Sequence, residues 1–311
     1  MTKTNIIIAG MGGVGGYFGG LLAKRYSGDE NIQINFVARG QHLKEIQENG
    51  LRIIKGENEF VVKPNISTDN PTDIGIADLI IICTKSYDLE NILHLLRPCI
   101  SDSTIILPLL NGVESKHIIQ SNFPNNMVLD GCVYIVSRLK QAGIVENTGN
   151  IQSLYFGLDN YVSDTLYEIE SIFKEANIDA TLSQSISKII WEKFIFLSPI
   201  ATATSYYDKS IGEIISNDET LETTKSLIEE VIQLAAAKNI AISKDITEIT
   251  LHKYKSLPYE TTSSMHNDFK SKKSRTELQT LTGYVIREGK KYNISTVTYT
   301  KLNEHLEKYS D

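Results

Sequence analysis

A short run of β-branched residues leads directly into a cluster of glycines near the start of the chain. Ile6–Ala9 has the composition of a strand, and the glycine-rich segment Gly10–Gly16 follows at once. The sequence then predicts a helix over Tyr17–Tyr26 and a second strand over Ile32–Ala38. A strand, a glycine turn, a helix and a second strand in this order begin a parallel α/β sheet of the kind that binds dinucleotides.

Each glycine of this turn has a different physical use in such a site. Gly10 permits the tight turn, Gly12 lets the backbone approach a pyrophosphate, and Gly15 lets the helix pack closely on the strand. The N–H groups and the positive dipole of the helix N-terminus then attract the phosphates. The alternative is a glycine-rich turn with a purely structural role. We predict that the following residues contact the cofactor: Gly10, Met11, Gly12, Gly13, Val14 and Gly15.

The residue type at the end of the second predicted strand indicates which dinucleotide binds. An NAD site expects an acidic residue there to hold the ribose 2′-hydroxyl, whereas an NADP site uses arginine for the 2′-phosphate. The second strand ends at Ala38 and Arg39 follows it, and no acidic residue occurs until Glu45. The guanidinium of Arg39 is a planar fork that suits a phosphate, so NADPH is the predicted cofactor. The alternative is an ordinary arginine on the surface.

Two further apolar runs, Asp78–Thr84 and Thr104–Leu110, end in polar residues. Continuous apolar runs are typical of strands that are covered on both faces of a parallel sheet. Ligands of such sheets bind outside the carboxyl ends of the strands, and Lys85 and Asn111 follow these two ends. We predict that both residues contact the cofactor, although a loop lysine in water is the alternative for Lys85.

The rest of this half predicts more strands and a helix. A strand over Met127–Ser137 ends at Ser137, which we also include among the cofactor contacts. Two short extended pieces, Ile144–Asn147 and Ile151–Gly157, predict an antiparallel addition to the sheet. A polar helix over Asp164–Asn177 and a strand near Ile178–Leu182 complete it.

Beyond residue 183 the strand signals stop and helical periodicity begins. Apolar residues recur at three- and four-residue intervals in five segments: Ile186–Thr204, Glu219–Lys238, Ile246–Tyr254, Leu278–Tyr292 and Tyr299–Tyr309. We therefore predict a Rossmann-type α/β domain over residues 1–183 and a mainly α-helical domain over residues 184–311.

Lys193 stands in a strongly apolar stretch of the first of these helices. A lysine that is partly desolvated in a cleft can act as a proton donor near neutral pH. The alternative is a lysine that extends from a core helix to the surface.

Composition excludes several classes of partner. The 311 residues are 41% apolar and 22% charged, so the chain can bury a sizeable core. The formal net charge of -7 argues against nucleic acid and anionic membranes, both of which need a positive field. No apolar run approaches the ~20 residues that span a bilayer. The expected partner is a small molecule, without nucleic acid or membrane.

Cysteine and histidine usage points to a reducing compartment and to chemistry without metal. The three cysteines, Cys83, Cys99 and Cys132, are widely spaced and form neither a disulfide framework nor a zinc-ligand pattern. The six histidines form no ligand motif. No signal peptide is recognisable before the first strand. We expect a cytoplasmic protein with no metal site.

Motifs in both halves occur in a characteristic order and spacing. They are Gly10–Gly15, Arg39, Thr84-Lys85, Asn111-Gly112, Trp191 with Lys193, Ser263-Ser264-Met265 with Asp268, and Thr276-Glu277. With these motifs the chain resembles the ketopantoate reductase (2-dehydropantoate 2-reductase) family over essentially its whole length. The resemblance implies an NADPH-dependent reductase of a 2-oxo acid, with 2-dehydropantoate reduced to pantoate in pantothenate biosynthesis. It also implies a homodimer.

The resemblance assigns roles to individual residues. Lys193 is implied to be the general acid, which donates a proton to the developing alkoxide and so contacts the substrate. Glu277 is implied to contact the cofactor ribose or the substrate hydroxyl. Lys85 and Asn111 are implied to bridge cofactor and substrate, and Ser263 and Ser264 to bind the substrate.

Four positions depart from the family pattern, which has asparagine there. They are Leu197, Ala201, Ile211 and Thr261. Loss of these asparagines would leave a polar substrate poorly satisfied, at ~1–3 kcal/mol for each unpaired buried group. The nearby polar residues that could compensate are Ser198, Thr202 and Ser205.

These departures leave two alternatives to ketopantoate reduction. One is a divergent reductase with the same mechanism and a more apolar 2-oxo acid or carbonyl substrate. The other is a protein that binds and senses NADPH without turnover, although the presence of Lys193 and Glu277 argues against it.

Overall fold

The predicted fold class is confirmed: a parallel α/β unit is followed by a helical unit. The structure is a computed structural model that describes residues 3–309. The first compact unit contains residues up to Leu110 and Glu114–Ile186, and the second contains Asn111–Val113 and the residues from Ser187 onward. The predicted domains are 1–183 and 184–311; in this division the boundary lies after Ile186, and Asn111–Val113 belongs to the second unit.

Within residues 3–309 the structure contains ten strands and twelve α-helices. The strands are β1 (Thr4–Ala9), β2 (Ile32–Val37), β3 (Leu51–Lys55), β4 (Asn58–Val62), β5 (Ile66–Thr68), β6 (Leu79–Ile82), β7 (Ile105–Pro108), β8 (Asp130–Gln141), β9 (Ile144–Gly157) and β10 (Asp179–Ser183). The helices of the first unit are α1 (Gly13–Arg25), α2 (Gly40–Asn49), α3 (Leu89–Leu96), α4 (Ser115–Asn122) and α5 (Asp164–Glu175). Those that follow are α6 (Ile186–Tyr207), α7 (Ile211–Ser216), α8 (Asp218–Ala237), α9 (Ile246–Ser256), α10 (Ser264–Lys270), α11 (Tyr284–Tyr292) and α12 (Val297–Leu306).

The first sheet is entirely parallel, with the strand order β5-β2-β1-β6-β7. Side chains of β1 alternate between two buried cores: Ile8 packs in the core that contains Phe18 of α1, and Ile7 packs in the core that contains Leu93 of α3. Both faces of the strand are therefore covered, which explains its continuous apolar run. The strand order reverses beside β1, so the crevice for a ligand is expected at the carboxyl end of this strand.

The β8–β9 hairpin belongs to a second sheet, so the prediction that it extends the first sheet is wrong. The second sheet has the order β10-β9-β3-β4, with β8 antiparallel to β9. The two extended pieces predicted over Ile144–Asn147 and Ile151–Gly157 form the single strand β9. The hairpin β3–β4 supplies the partner of β9 and was not predicted, although its two-residue turn at Gly56 and Glu57 is a recognisable signal.

The second sheet supports the start of α1. A Cβ added to Gly13 would lie 2.2 Å from the carbonyl oxygen of Ser137 in β8, and a Cβ on Gly16 would lie 2.5 Å from Cγ2 of Val145 in β9. The helix backbone thus rests directly on this hairpin. Helix α1 also begins earlier than predicted, at Gly13, because glycines form its first turns against the hairpin.

The second unit consists of helices around one buried core. Trp191 and Phe194 of α6 make edge-on contacts at 5.8 Å between ring centroids, and Phe194 meets Tyr284 of α11 at 5.7 Å. The helix predicted over Leu278–Tyr292 contains a π-helical segment, Gln279–Gly283, before α11 begins. Such segments insert an extra residue in a helical turn and often occur at functional sites.

Among the described residues, no helix is both long enough and apolar enough to cross a membrane.

The close packing of Gly13 predicts a specific loss of stability. Gly13→Ala should lower the free energy of unfolding by about 2–3 kcal/mol, because the backbone at Ser137 must move to admit a methyl group. Gly12→Ala is the matched control, since a Cβ there meets no atom within 4 Å. It should cost about 1 kcal/mol or less, the cost of alanine in place of glycine at a helix N-cap. Urea unfolding measures both, and equal losses would contradict the tight contact.

Candidate functional site

The turn between β1 and α1, which we call the glycine turn (Gly10–Gly15), has contacts that only glycine allows. Gly10 has a φ of +94°, and a Cβ there would lie 2.8 Å from the backbone nitrogen of Thr84, just beyond β6. A Cβ on Gly15 would lie 2.2 Å from the carbonyl oxygen of Gly10 and 2.8 Å from Cβ of Cys83. The turn is thus held against the carboxyl end of β6, where the sheet order reverses.

The outer side of the glycine turn is open and suits an anion. A Cβ on Gly12 would meet no atom within 4 Å, and the first turn of α1 contains no acidic residue. The N–H groups of this first helical turn carry the positive end of the helix dipole. The hydroxyl oxygen of Thr84 is buried and has no hydrogen-bond partner among the described residues. Open space, helix N–H groups and a buried hydroxyl fit the pyrophosphate of a dinucleotide.

Three of the predicted cofactor contacts offer mainly backbone atoms. The side chain of Met11 is buried, and Val14 packs against the core of the first unit. Ser137 in β8 has its carbonyl oxygen against the start of α1, and its hydroxyl donates to the carbonyl oxygen of Glu146 at 3.2 Å. Ser137 therefore supports the turn, with its hydroxyl engaged in the hairpin.

Arg39 lies at the carboxyl end of β2, as the N-cap of α2. Its side chain is 84% exposed, and Nη2 donates to Oδ2 of Asp88 at 3.1 Å. An exposed ion pair of this kind contributes ~0–1 kcal/mol, so a phosphate can compete for the guanidinium. Arg39 is thus an exposed cation at the strand end, which is compatible both with a phosphate contact and with an ordinary surface arginine.

Lys85 follows β6 and caps a short 3₁₀ turn, Ser86–Asp88. It lies beyond the same strand end as Thr84, on the edge of the sheet that carries the glycine turn. Burial raises the pKa of the neighbouring Cys83 thiol well above its usual value. Cys83 therefore stays neutral and places no negative charge beside the glycine turn.

Lys193 and Asn111 lie together in the second unit. The ammonium Nζ of Lys193, on α6, donates to Oδ1 of Asn111 at 3.0 Å, and both side chains are half-buried. Gly112 has a φ of +97°, and a Cβ there would lie 2.7 Å from Cγ2 of Thr280. The segment Asn111–Val113 therefore packs against the π-helical segment. This packing positions the side-chain amide of Asn111, which in turn orients the ammonium of Lys193.

Glu277 stands where the π-helical segment begins. Its side chain is buried, with 2% of the residue exposed, and its carbonyl oxygen accepts from the N–H groups of Thr280 at 3.1 Å and Leu281 at 3.0 Å. A buried carboxylate is held only with polar or charged partners. Its position at the start of the same helical segment fits a functional role.

The two adjacent serines predicted to bind substrate have different environments. Ser263 is buried and is the N-cap of α10: its hydroxyl accepts from the N–H of His266 at 3.0 Å and shares a hydrogen bond of 2.9 Å with the hydroxyl of Thr204. Ser264 is exposed. The hydroxyl of Ser264 is therefore available to a ligand, while that of Ser263 joins α10 to α6.

The positions that depart from the family's asparagines are mostly apolar and inward-facing. Ala201 and Ile211 are buried in the helical core, and Leu197 packs against it. Thr261 is half-buried, and its carbonyl oxygen accepts from the N–H of Ile211 at 2.7 Å. These side chains bring no amide to the region.

The polar residues expected to compensate belong to the helical core. The hydroxyl of Ser198 bonds to the Leu281 carbonyl at 2.9 Å and to the hydroxyl of Tyr299 at 2.6 Å. That of Thr202 bonds to the Ser198 carbonyl at 2.9 Å and to the hydroxyl of Thr282 at 2.7 Å. Both hydroxyls are committed to packing between helices. The hydroxyl of Ser205 is buried without a hydrogen-bond partner among the described residues.

The structure thus forms two groups of predicted site residues. The glycine turn, Arg39 and Lys85 lie at strand ends of the first sheet, whereas Lys193, Asn111 and Glu277 belong to the second unit. Sequence reasoning missed Asp88, which pairs with Arg39, and His42, which hydrogen-bonds to the glycine turn. Asp88 lies near Lys85 in the sequence and His42 lies near Arg39. This closeness to predicted site residues was the available signal.

Two family models match the chain. The model described as "Ketopantoate reductase PanE/ApbA" matches residues 6–160, and that described as "Ketopantoate reductase PanE/ApbA C terminal" matches residues 185–310.

Solved structures and curated proteins match over nearly the full length. The crystal structure of 2-dehydropantoate 2-reductase from Porphyromonas gingivalis W83 is 33% identical, with a TM-score of 0.86 over 98% of this chain and 99% of that one. The structure of D-mandelate dehydrogenase with NADH and anilino(oxo)acetate is 24% identical, with a TM-score of 0.85 over 99% of both chains, and shows the same fold. The uncharacterized oxidoreductase YkpB of Bacillus subtilis is 25% identical over 304 residues, which are 97% of this chain and 98% of that protein.

The two family models together span most of the chain, and the relative from P. gingivalis exceeds 30% identity along almost all of it. The chain therefore belongs to the ketopantoate reductase family, and it is an oxidoreductase that acts on a carbonyl group or the corresponding alcohol.

Proposed function

We propose that the protein reduces a 2-oxo acid to a 2-hydroxy acid with NADPH, and that its substrate is 2-dehydropantoate, which becomes pantoate in pantothenate biosynthesis. The observation that carries this proposal is the hydrogen bond from Lys193 to Asn111. It holds an ammonium in one direction, in a chain that also has a glycine turn fitted to a dinucleotide. We also propose a homodimer, on the family resemblance.

A bound dinucleotide would supply the hydride that adds to the carbonyl carbon of the substrate. Negative charge then develops on the carbonyl oxygen, and the ammonium of Lys193 donates a proton to that oxygen to complete the alcohol. Asn111 accepts from the same ammonium and so limits its orientations before the substrate binds. A positioned cation at the developing alkoxide stabilises the transition state more than the ground state.

The remaining polar groups bind and orient. We assign Arg39 to the 2′-phosphate, and the first turn of α1 with the Thr84 hydroxyl to the pyrophosphate. We assign Lys85 to the cofactor, and the exposed hydroxyl of Ser264 to the substrate carboxylate. Glu277 accepts from a ribose or substrate hydroxyl.

The absence of asparagine at Ala201 and Ile211 favours a second candidate, a more apolar 2-oxo acid. Without those amides, a branched or aromatic side chain on the substrate is better matched than a hydroxyl. The structure of D-mandelate dehydrogenase, which has the same fold, contains anilino(oxo)acetate, an oxoacetate that carries an aromatic ring. The two candidates share the proton donor and differ only in the oxo acid.

The assay for the function follows NADPH oxidation with ketopantoate and with a series of branched and aryl 2-oxo acids. The wild type should turn over at least one of them, and Lys193→Ala should lower kcat by about 100- to 10,000-fold, the usual contribution of a general acid. The affinity for NADPH should stay the same. Lys188→Ala, on the same helix with its lysine exposed, is the matched control and should keep full activity.

The same assay separates the alternatives. Turnover of an aryl oxo acid well above that of ketopantoate selects the second candidate. Tight NADPH binding without oxidation by any oxo acid selects a sensor and contradicts the enzyme. Activity that survives in Lys193→Ala contradicts the assignment of the proton donor.

The assignment of Arg39 predicts a change in cofactor preference. Arg39→Ala should raise the Kd for NADPH by about 10- to 100-fold, because charge-assisted hydrogen bonds to a phosphate are lost, and leave the Kd for NADH nearly unchanged. Lys44→Ala removes another exposed cation of the same helix and serves as the control. Fluorescence titration gives both constants, and equal weakening of the two dinucleotides would refute the role.

Alanine substitutions of the two serines at the start of α10 should have different effects, one on stability and the other on KM. Ser263→Ala should lower the free energy of unfolding by about 1–2 kcal/mol, because a helix cap and a bond to Thr204 are lost. Ser264→Ala should leave stability unchanged and raise KM for the oxo acid several-fold. Thermal unfolding and steady-state kinetics test the pair. An unaltered KM in Ser264→Ala would remove this residue from the substrate site.

A further inference from the structure

We propose that His42 is a positioning residue for dinucleotide binding, which holds the carbonyl group of Met11 and with it the glycine turn in the conformation that receives the pyrophosphate. This inference rests on the proposed function. It concerns the binding of any nicotinamide dinucleotide and does not depend on which oxo acid is reduced.

Two hydrogen bonds assign the state of the imidazole. The backbone N–H of Gly143 donates to Nδ1 of His42 at 2.9 Å, so Nδ1 carries no proton. The other nitrogen, Nε2, lies 2.8 Å from the carbonyl oxygen of Met11. A carbonyl oxygen only accepts, so Nε2 carries the proton and donates it to this bond. The side chain is therefore a neutral bridge with one defined tautomer.

Burial agrees with the neutral form. Desolvation lowers the pKa of His42 below its ordinary value of 6.5, and the bond to the Met11 carbonyl opposes the shift in part. A second proton would have to occupy Nδ1, where it would face the N–H of Gly143. At neutral pH the bridge is thus intact.

The far end of the bridge is a rigid anchor. Gly143 lies in the turn between β8 and β9 with a φ of +75°, and a Cβ there would lie 2.9 Å from Cβ of Glu45. Its carbonyl oxygen accepts from the N–H of Arg52 in β3 at 2.9 Å. The second sheet therefore fixes Gly143, and Gly143 fixes the ring of His42.

The near end of the bridge acts on the donor groups of the glycine turn. The carbonyl of Met11 and the N–H of Gly12 belong to one planar trans peptide, so they point in opposite directions. A bond that fixes the Met11 carbonyl also fixes the direction of the Gly12 N–H. The Met11 side chain is buried as well, which holds the peptide from a second side. His42 thereby preorganises a backbone donor for the phosphates, and preorganised donors bind more tightly than mobile ones.

A pair of amide variants separates the two ends of the bridge. The side-chain nitrogen of glutamine reaches as far as Nε2 of histidine, so His42→Gln keeps a donor for Met11 and loses the acceptor for Gly143. The side-chain oxygen of asparagine corresponds to Nδ1, so His42→Asn keeps the acceptor for Gly143 and loses the donor for Met11. Each variant loses one hydrogen bond, which makes them matched controls for general destabilisation.

The experiment measures the Kd of NADPH and of NADH by fluorescence titration, together with the thermal unfolding temperature and steady-state kinetics. His42→Asn should raise both Kd values by about tenfold, the effect of one lost hydrogen bond at ~1.4 kcal/mol. His42→Gln should stay within about threefold of the wild type. In His42→Asn, kcat at saturating NADPH and KM for the oxo acid should be unchanged.

Three results would overturn the role of His42: equal Kd values in both variants and the wild type, equal weakening in both variants, or weakening of NADPH alone. A wild-type protein that binds neither dinucleotide would contradict the proposed function itself, and the inference with it.

Discussion

The contact between the glycine turn and the backbones around it is the constraint on which the first unit depends. Gly10 meets the backbone after β6, Gly13 meets the carbonyl of Ser137 in β8, and Gly15 meets Gly10 itself. A methyl group at any of these points would collide with a neighbouring atom. The parallel sheet and the second sheet therefore both pack against one turn, and the side at Gly12 is open to a ligand.

Individual positive groups explain how a chain with a negative net charge can bind anionic ligands. With a formal net charge of -7 the protein as a whole repels anions, so binding depends on a few placed groups. In our proposal Arg39, Lys85 and the N-terminus of α1 bind the cofactor, and Lys193 interacts with the oxo acid. Cys83 contributes no opposing charge, because burial raises the pKa of its thiol.

The elements that sequence reasoning predicted well are those with a strong periodic signal. The run Ile6–Ala9 with its glycines predicted β1 and the turn, and the long helices α6 and α8 follow from apolar spacing. The second sheet was misassigned because pairing between strands far apart in sequence, such as β3 with β9, leaves no local pattern.

The direction of side chains was the other part that could not be predicted. Ser263 and Ser264 are adjacent serines, yet one caps a helix in the core and the other faces solvent. The sequence suggested that the hydroxyls of Ser198 and Thr202 could contact the substrate, but both form hydrogen bonds within the helical core. Which polar groups meet the substrate thus depends on packing, and the bridge through His42 depends on a turn 101 residues further along the chain.

The central claim is that the ammonium of Lys193 donates the proton to the substrate carbonyl. A crystal structure with NADP⁺ and the 2-oxo acid that the enzyme reduces tests it most directly, because this pair cannot exchange a hydride. We predict that the keto oxygen accepts a hydrogen bond from Nζ of Lys193 at about 2.8–3.0 Å. A keto oxygen that is bound by another proton donor, with Lys193 out of reach, would contradict the account.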